Sequence, residues 1–583
     1  MQPQSNDDFN YDREWRAWDP WKPIPERYNL GTALTRGNVE AGRGDRTVLF
    51  WENSAGDTRQ ITYAELDALT NRLASSLAKL GLMRGDRVFL RLPNLPEFYV
   101  AALATAKLGG VFIPSSTLFR EDEIRYRLQD SGAAAVVTTA QLVGPVENVR
   151  GDCPELKHVI VVPYRGEEAT GDCLDWNHLI SDGDEHFQAA DTANDDIAFL
   201  AYTSGTTGEP KGVVHLHRYP IAYEALARWW HDYRDDDRVA CPAEMGWLLP
   251  VASTFLYALA HGVSVVLYHP LDGRFDPAAW FRLIEKYAIT NFTGTPTVYR
   301  MLLAAGKEAA RFDLSSLRHG VSAGEPLPAD TYEGIRRLLG IEALDGIGMS
   351  ECMVYCHNMV GMPVRPGSCG RPSPGTVIEL MDEHLQPVPA GEPGVLCVRR
   401  DTHPGMMLRY WNKPHETDEI FRVARSERSE GRGEASGGVS SGTTPFQGVP
   451  PTEWYWSGDV LRRDTEGYYW FEGRADDVIK ASGYRISPFE VESCLVSHPA
   501  VLEAAAVESP DELRGRVVKA FLVLREGHEP GDALAREIQD YVKQHVAPYK
   551  YPRKVEFVAA LPKTQSGKVK RGELRAAELG KGK

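Results

Sequence analysis

The chain has 583 residues, too many for one hydrophobic core, so two or more domains are expected. Hydrophobic residues make up 43% and charged residues 25%, the balance of an ordinary globular protein, and no apolar run reaches membrane-spanning length. A formal net charge of −16 excludes a general nucleic-acid binder, which needs a surplus of Lys and Arg to meet phosphates. A negatively charged substrate would therefore need a local basic site.

The start, Met1 to Asp8, is acidic and polar, without signal or transit character. Trp15, Trp18 and Trp21 follow among charges and prolines, an aromatic arm expected to pack on the body of the protein. Thr62-x-x-Glu65 is a capping box. Leu66, Leu69, Leu73 and Leu77 follow at helical spacing, and Gly81 closes that helix. Val88–Leu92 reads as a strand and Pro96–Leu108 as a helix. Val111–Ile113, Ala134–Val137 and Val159–Val162 read as short buried strands. Alternating β and α patterns predict an α/β fold with a parallel sheet.

Ile197–Tyr202, Thr203-Ser-Gly-Thr-Thr-Gly-Glu-Pro-Lys-Gly212 and Val213–His217 read as strand, loop, strand. Hydroxyls, glycine amides and Lys211 suit a polyphosphate, because glycines let backbone N–H groups approach closely. The loop is not a Walker A sequence, since Pro210 precedes Lys211 and no helix follows. Alone, it reads equally well as a surface hairpin.

Further on, Ile221–Tyr233 and Phe275–Tyr287 are helix-like. Val263–Leu267, Ile289–Phe292 and Leu317–Val321 are strand-like. Ser322-Ala-Gly-Glu-Pro326 ends one strand, and Ala343–Asp345 runs into Gly346-Ile-Gly-Met-Ser-Glu351. Strand ends of this kind face the ligand crevice of open α/β sheets. Cys352 and Cys356 are the only close pair of the eight cysteines, with no second pair or histidine pair at zinc spacing. Reduced thiols and a cytoplasmic location are expected.

Residues 424–451 are polar and Gly/Ser-rich, a mobile surface insertion. Order resumes at Trp454-Tyr-Trp-Ser-Gly-Asp459, and Gly473 to Lys480 reads as a charged, turn-like domain junction. Pro488–His498, Ala504–Val507, Val517–Leu524, Leu534–His545 and Lys554–Val558 then fit a small α+β domain. The tail, Pro562 to Arg571, is basic.

Together these turns suit an adenylate site. Lys211 and its loop would hold phosphates, Glu351 a magnesium ion bridging them, and Asp459 the ribose hydroxyls. Arg474, Arg485 and Lys568 would neutralise charge developing on phosphate. Each alone has a plainer reading, as a solvated Glu at a strand end, a turn Asp or a surface Lys. Gly320-Val-Ser-Ala-Gly324 also matches a nucleophile elbow, with Asp345 and His357 as partners in the right order. A hydrolase would leave the Thr203–Gly212 loop and the basic tail without a role.

The ordered set closely resembles the adenylate-forming superfamily of acyl-CoA and aryl-CoA synthetases, adenylation domains and luciferases, from about Thr47 to Arg571. Within it the chain is similar to benzoate-CoA ligases through Asp345-Gly-Ile-Gly348, Val501–Ala505 and Lys550–Arg553. It is similar to medium-chain acyl-CoA synthetases through Phe275-Asp-Pro277 and Val298–Leu303. Ile347 stands where the family usually has an aromatic residue, and Ser350 where it has threonine.

The resemblance implies a large N-terminal adenylate-forming domain of mixed sheets with flanking helices, residues 1–474, and a small mobile α+β domain, residues 475–583. It implies a phosphate loop of Thr203, Ser204, Gly205, Thr206, Thr207, Gly208 and Lys211, with Thr206 and Glu351 at the magnesium position. Ser322, Ala323, Gly324, Glu325 and Pro326 would flank adenine, with Asp345, Gly346, Ile347, Gly348 and Ser350 beside it. Asp459 and Arg474 would meet the nucleotide. Lys568 would be the catalytic lysine of the first half-reaction and Asp476 the hinge. Arg485 and Gly483 would come in for the second half-reaction, Gly483 letting the pantetheine thiol pass.

The implied reaction converts a carboxylic acid and ATP into acyl-AMP and pyrophosphate, then passes the acyl group to coenzyme A. The acid pocket is expected around Trp247, Thr295, Ala323 and Gly348, with small Gly346 and Gly348 leaving room and Trp247 walling an aromatic ring. An aromatic or medium-length acid is favoured over acetate. Regulatory acylation of Lys568 by a protein acyltransferase, reversed by a deacylase, fits its Ser-Gly-Lys setting, and a monomer or homodimer is expected. Two rivals are a catalytically silent binding protein on the same fold and an enzyme that loads a carrier protein.

Overall fold

The computed structural model describes all residues except 1–9, 167–170, 204–208, 424–452, 476, 478, 482–483, 512–514, 547–549, 564–568 and 581–583, and of 480, 484, 485 and 490 the backbone alone. Two compact units emerge. The first is drawn from Met1–Thr203, Lys211–Val377 and Val398–Tyr455, the second chiefly from Ile378–Cys397 and Trp456–Lys583.

The first unit holds two large sheets. One has seven strands in the order Leu174–Asp175, His158–Val162, Ala135–Thr139, Arg87–Arg91, Val111–Pro114, Ile197–Tyr202 and Gly212–Leu216. All its neighbours are parallel except the last pair. The other has nine strands: Arg371–Pro372, Cys356–His357, Ala343–Ile347, His319–Ser322, Asn291–Gly294, Arg238–Ala240, Ser264–His269, Thr47–Asn53 and Thr58–Thr62. Its six central strands, from Ala343–Ile347 to Thr47–Asn53, are parallel.

Period-two alternation divides these strands between cores. Val88 and Leu90 join Val265 and Leu267 in the largest cluster, between the sheets, with the helices Tyr63–Lys79 and Pro96–Lys107. Phe89 turns instead to Val136 and Val159, and Val266 to Trp280 and Phe292. Strands buried on both faces read as continuous apolar runs, which is why the sequence reveals them.

The helix Tyr63–Lys79 has its expected capping box: Thr62 Oγ1 accepts the Glu65 N–H and the Glu65 carboxylate accepts the Thr62 N–H. The N-terminal arm packs as expected. Trp18 meets Trp229 edge-on with centroids 5.0 Å apart, and Trp21 donates its indole N–H to Asp401 O at 2.8 Å.

Two expectations change. Ile221–Tyr233 is not one helix; the chain forms Tyr219–Ala222 and Glu224–Trp229 with a break at Tyr223. The buried Tyr223 hydroxyl donates to Gly405 O and accepts the Met353 N–H, and these tertiary bonds override local helix propensity. Gly473 and Arg474, expected in a turn-like junction, end the strand Tyr469–Arg474, and Asp459, whose plainer reading is a turn position, lies inside the strand Glu453–Arg463.

The second unit contains a three-stranded sheet, Val501–Asp511 antiparallel to Gly515–Leu524, which is parallel to Lys554–Phe557. The helices Pro488–Val496, Asp532–His545 and Arg571–Gly580 accompany it. Arg571 pairs with Glu492, and Lys519 with Glu578 at 2.8 Å, fixing the last helix. Residues 424–451 lie outside the described residues.

Removing the cap hydroxyl leaves a first-turn N–H without its partner. Thr62→Ala should cost about 1 kcal/mol of stability, while Thr62→Ser should cost almost nothing. Urea unfolding of the two variants checks this.

Candidate active site

Three adjacent parallel strands end on one edge of the nine-stranded sheet. Gly294 is in register with Ser322, and Ser322 with Asp345. Thr295 and the Ala323–Pro326 turn therefore leave the sheet side by side, next to Gly346 and Ile347, which end the neighbouring strand before Gly348. Open α/β sheets bind ligands at such strand ends. Thr295 caps the helix Pro296–Ala304 by accepting the Val298 N–H, and Gly324 takes a positive φ of 94° beside it. Glu325 is held by the following helix: its carboxylate accepts from Thr297 Oγ1 at 2.9 and 3.0 Å and pairs with Arg300.

Asp345 is buried, and burial pushes its carboxyl up to about 8. The Leu327 N–H, Ser322 and the Gly346 N–H oppose that shift more weakly. At neutral pH the group is largely a neutral acid that can donate as well as accept.

The expectation that Gly346 and Gly348 leave room for substrate is corrected. A Cβ at Gly348 would stand 1.9 Å from Met353 O, and one at Gly346 would stand 2.8 Å from Val354 Cγ1. Both glycines admit the returning Ile347–Tyr355 turn, closed by Tyr355 N–H to Ile347 O at 3.1 Å.

The Thr203–Gly212 loop springs from paired strands, with Tyr202 opposite Gly212. Its base is closed twice: the Thr203 N–H donates to Lys211 O at 3.0 Å and the Lys211 N–H to Thr203 Oγ1 at 3.1 Å. Tyr202 donates its hydroxyl to the Asp130 carboxylate and Trp411 its indole N–H to Asp130 O. Ser204, Gly205, Thr206, Thr207 and Gly208 lie outside the described residues.

Beside this loop runs Leu408–Trp411. The Val214 N–H donates to Arg409 O, the Leu408 N–H to Val214 O and the Trp411 N–H to Gly212 O, at 3.0, 3.0 and 2.7 Å. Tyr410 is thereby set between two motifs. Its hydroxyl donates to Glu351 Oε1 at 2.5 Å, and Lys211 Nζ stands 4.9 Å from its ring centroid. His215 adds a second tie, with Nε2 2.9 Å from Ser350 O. Burial pushes the His215 imidazole down to about 3, so the neutral ring donates this bond. Phe199 stacks on it at 4.6 Å.

Glu351 is a buried carboxylate close to a lysine-bearing loop. Among the described residues no group of three or more possible metal ligands occurs. A lone buried carboxylate such as Glu351 is a donor compatible with magnesium, which takes one or two protein carboxylates and completes its shell with phosphate oxygens and water.

Trp247 follows the strand Arg238–Ala240 and meets Phe119 edge-on at 6.2 Å. Its segment is anchored by Glu244, whose carboxylate accepts the Ser116 hydroxyl and the Thr117 N–H, both at 2.7 Å. Ser322 ends its strand buried beside Asp345, and His357 bonds the Asn358 carbonyl; among the described residues no histidine bonds Ser322, which removes the hydrolase reading.

In the second unit Asp459 and Arg474 face each other across paired strands, with Arg474 Nη1 3.0 Å from Asp459 Oδ1. Arg474 also donates to Ser457 O, and Ser457 Oγ accepts the Asp459 N–H. Asp476, Gly483, Lys568 and the Arg485 side chain lie outside the described residues. Around the Lys568 segment, Lys563 bridges Val569, and the Lys570 N–H donates to Pro562 O.

The motifs alone do not reveal Tyr410 or His215. Tyr410 carries no local signature, and His215 sits in an apolar strand run that reads as core.

Known proteins resemble the chain over nearly its whole length. The family described as AMP-binding enzyme matches residues 38–411, and that described as AMP-binding enzyme C-terminal domain matches residues 490–568. The uncharacterized acyl-CoA ligase YtcI of Bacillus subtilis (strain 168) is 37% identical over 558 residues, covering 95% of this chain and 97% of its own. The crystal structure of the anthranilate CoA ligase AuaEII with anthranoyl-AMP superposes with a TM-score of 0.82 at 31% identity, covering 96% of this chain and 99% of that one. A benzoate CoA ligase from Burkholderia xenovorans LB400 superposes with a TM-score of 0.77 at 31% identity, covering 94% and 100%.

Asp345 gives a pH test. Its folded value of about 8 lies above its ordinary 3.8, so the unfolded chain releases this proton first as pH rises. The contribution to stability is complete below about pH 4 and falls as pH rises toward 8. Asp345→Asn should flatten that decline, and thermal midpoints across pH 4 to 9 check it. Parallel curves for the two proteins would count against a neutral Asp345.

Proposed function

The chain belongs to the AMP-binding enzyme family, and we propose that its substrate is an aromatic or medium-length carboxylic acid. The reaction is that of an ATP-dependent, AMP-forming acyl-CoA ligase. A carboxylate oxygen attacks the α-phosphorus of ATP and pyrophosphate leaves. The CoA sulfur then attacks the acyl carbonyl carbon, and AMP leaves with the electrons of the broken bond.

The observation that carries the residue assignment is the joining of Lys211 and Glu351 through Tyr410. Lys211 is assigned to the phosphates that become pyrophosphate. Magnesium, when bound, would be held by Glu351 and Thr206 and would supply charge neutralisation on the phosphates. Asp345, Ser322 and the Ala323–Pro326 turn are assigned to adenine, and Asp459 and Arg474 to the ribose and phosphate. Motif resemblance assigns Lys568 to the charge developing during adenylation and Asp476 to the pivot of the C-terminal domain, residues 475–583. It assigns Arg485 and Gly483 to the thioester step. Acylation of Lys568 would then switch off the first half-reaction.

Support for an aromatic acid comes from the Trp247–Phe119 pair and from the anthranilate and benzoate ligases at 31% identity. Because protein atoms fill the space at Gly346 and Gly348, room for the ring is assigned to the side of Trp247, Thr295 and Ala323. No described helix is long and apolar enough to cross a membrane, and all eight cysteines are free thiols, which supports a reducing compartment such as the cytoplasm.

Pyrophosphate release should require an added acid and should be faster with benzoate-type or medium-chain acids than with acetate. A panel of acids with free CoA measures this, and a preference for acetate would overturn the substrate assignment. Lys568→Ala should slow adenylation by about 10²- to 10³-fold while sparing thioester formation from supplied acyl-adenylate. Equal loss of both steps would remove its assigned role.

A further inference from the structure

Tyr410 belongs to none of the motifs that mark this site, yet it touches two of them. Its backbone is fixed by the pairing of Leu408–Trp411 with Gly212–Val214 and by its own N–H, which donates to Thr417 Oγ1 at 3.0 Å. Its side chain is buried, with the hydroxyl on Glu351 Oε1 at 2.5 Å and the ring 4.9 Å from Lys211 Nζ.

Two physical effects follow. A carboxylate turns easily about its terminal torsion, and a strong donor on one oxygen fixes its plane and directs the remaining lone pairs. Outer groups of this kind tune the ligand that they hold. The negative ring face also attracts the ammonium without cancelling its charge, as a carboxylate would. Both Lys211 and Glu351 contact the same tyrosine, and among the described residues no ion pair joins the two directly. The tyrosine offers its ring face to the lysine and its hydroxyl to the carboxylate, so each group meets a different part of one side chain.

We propose that Tyr410 is a positioning residue for the first half-reaction, one that sets the Glu351 carboxylate for a divalent cation and offers its ring face to Lys211. The proposal rests on the assignment of Glu351 to the cation and Lys211 to the phosphates. Tyr410→Phe keeps the ring and removes only the oxygen that holds Glu351.

The test is binding without turnover. Affinity for α,β-methylene-ATP is measured with and without Mn²⁺ in the absence of acid, with bound Mn²⁺ followed by electron paramagnetic resonance. The ratio of the two Kd values does not depend on the folded fraction of the sample. In Tyr410→Phe the gain in affinity that Mn²⁺ confers should shrink by about 10- to 100-fold, with metal-free affinity within about threefold of wild type. The double variant Tyr410→Phe/Glu351→Gln should be no worse than Glu351→Gln alone, because the tyrosine acts through that carboxylate. An unchanged Mn²⁺ gain in Tyr410→Phe, or additive losses in the double variant, would overturn the proposal. A wild-type protein whose nucleotide affinity ignores Mn²⁺ would instead overturn the cation assignment beneath it.

Discussion

The site depends on a short backbone ladder between Gly212–Val214 and Leu408–Trp411. Three hydrogen bonds join segments far apart in the chain, and with them the loop bearing Lys211 acquires its neighbour Tyr410 and, through it, Glu351. Side-chain contacts alone would leave two long, rotamer-rich residues free to wander. The ladder fixes where each begins, and the neutral His215 ring ties the Ser350–Glu351 turn to the same strand. Phosphate-binding groups usually sit on loops, and here the loop is held at its root by a sheet edge.

Burial sorts the polar groups of the first unit by charge state. Asp345 and His215 are both largely neutral near pH 7, because desolvation outweighs their hydrogen bonds. They act as structural donors and acceptors and add little field of their own. Lys211 and Glu351, at the ladder, are the two groups assigned above to a polyphosphate and a cation.

Much of this is legible in the order of the amino acids. The parallel strands announce themselves as short apolar runs, the first long helix by Thr62 and Glu65, and the site by glycine-rich turns at strand ends. What stays hidden has long-range causes. Tyr410 looks like any tyrosine in Arg409-Tyr-Trp411 until the strand pairing is known. Gly348 suggests open space, whereas the Met353 carbonyl needs that space. The break at Tyr223 comes from bonds to Gly405 and Met353, which helix periodicity does not encode.

The Asp459–Arg474 pair has a consequence for nucleotide release if the two meet the nucleotide as assigned. The acidic and basic groups assigned to the nucleotide already satisfy each other across two paired strands. The buried Asp459 carboxylate thus has a partner within the protein itself, and its desolvation does not by itself favour keeping a ligand able to cover it. On that assignment, an internal counter-ion would weaken retention of AMP and favour turnover over grip, which suits an enzyme that releases a nucleotide product in every cycle.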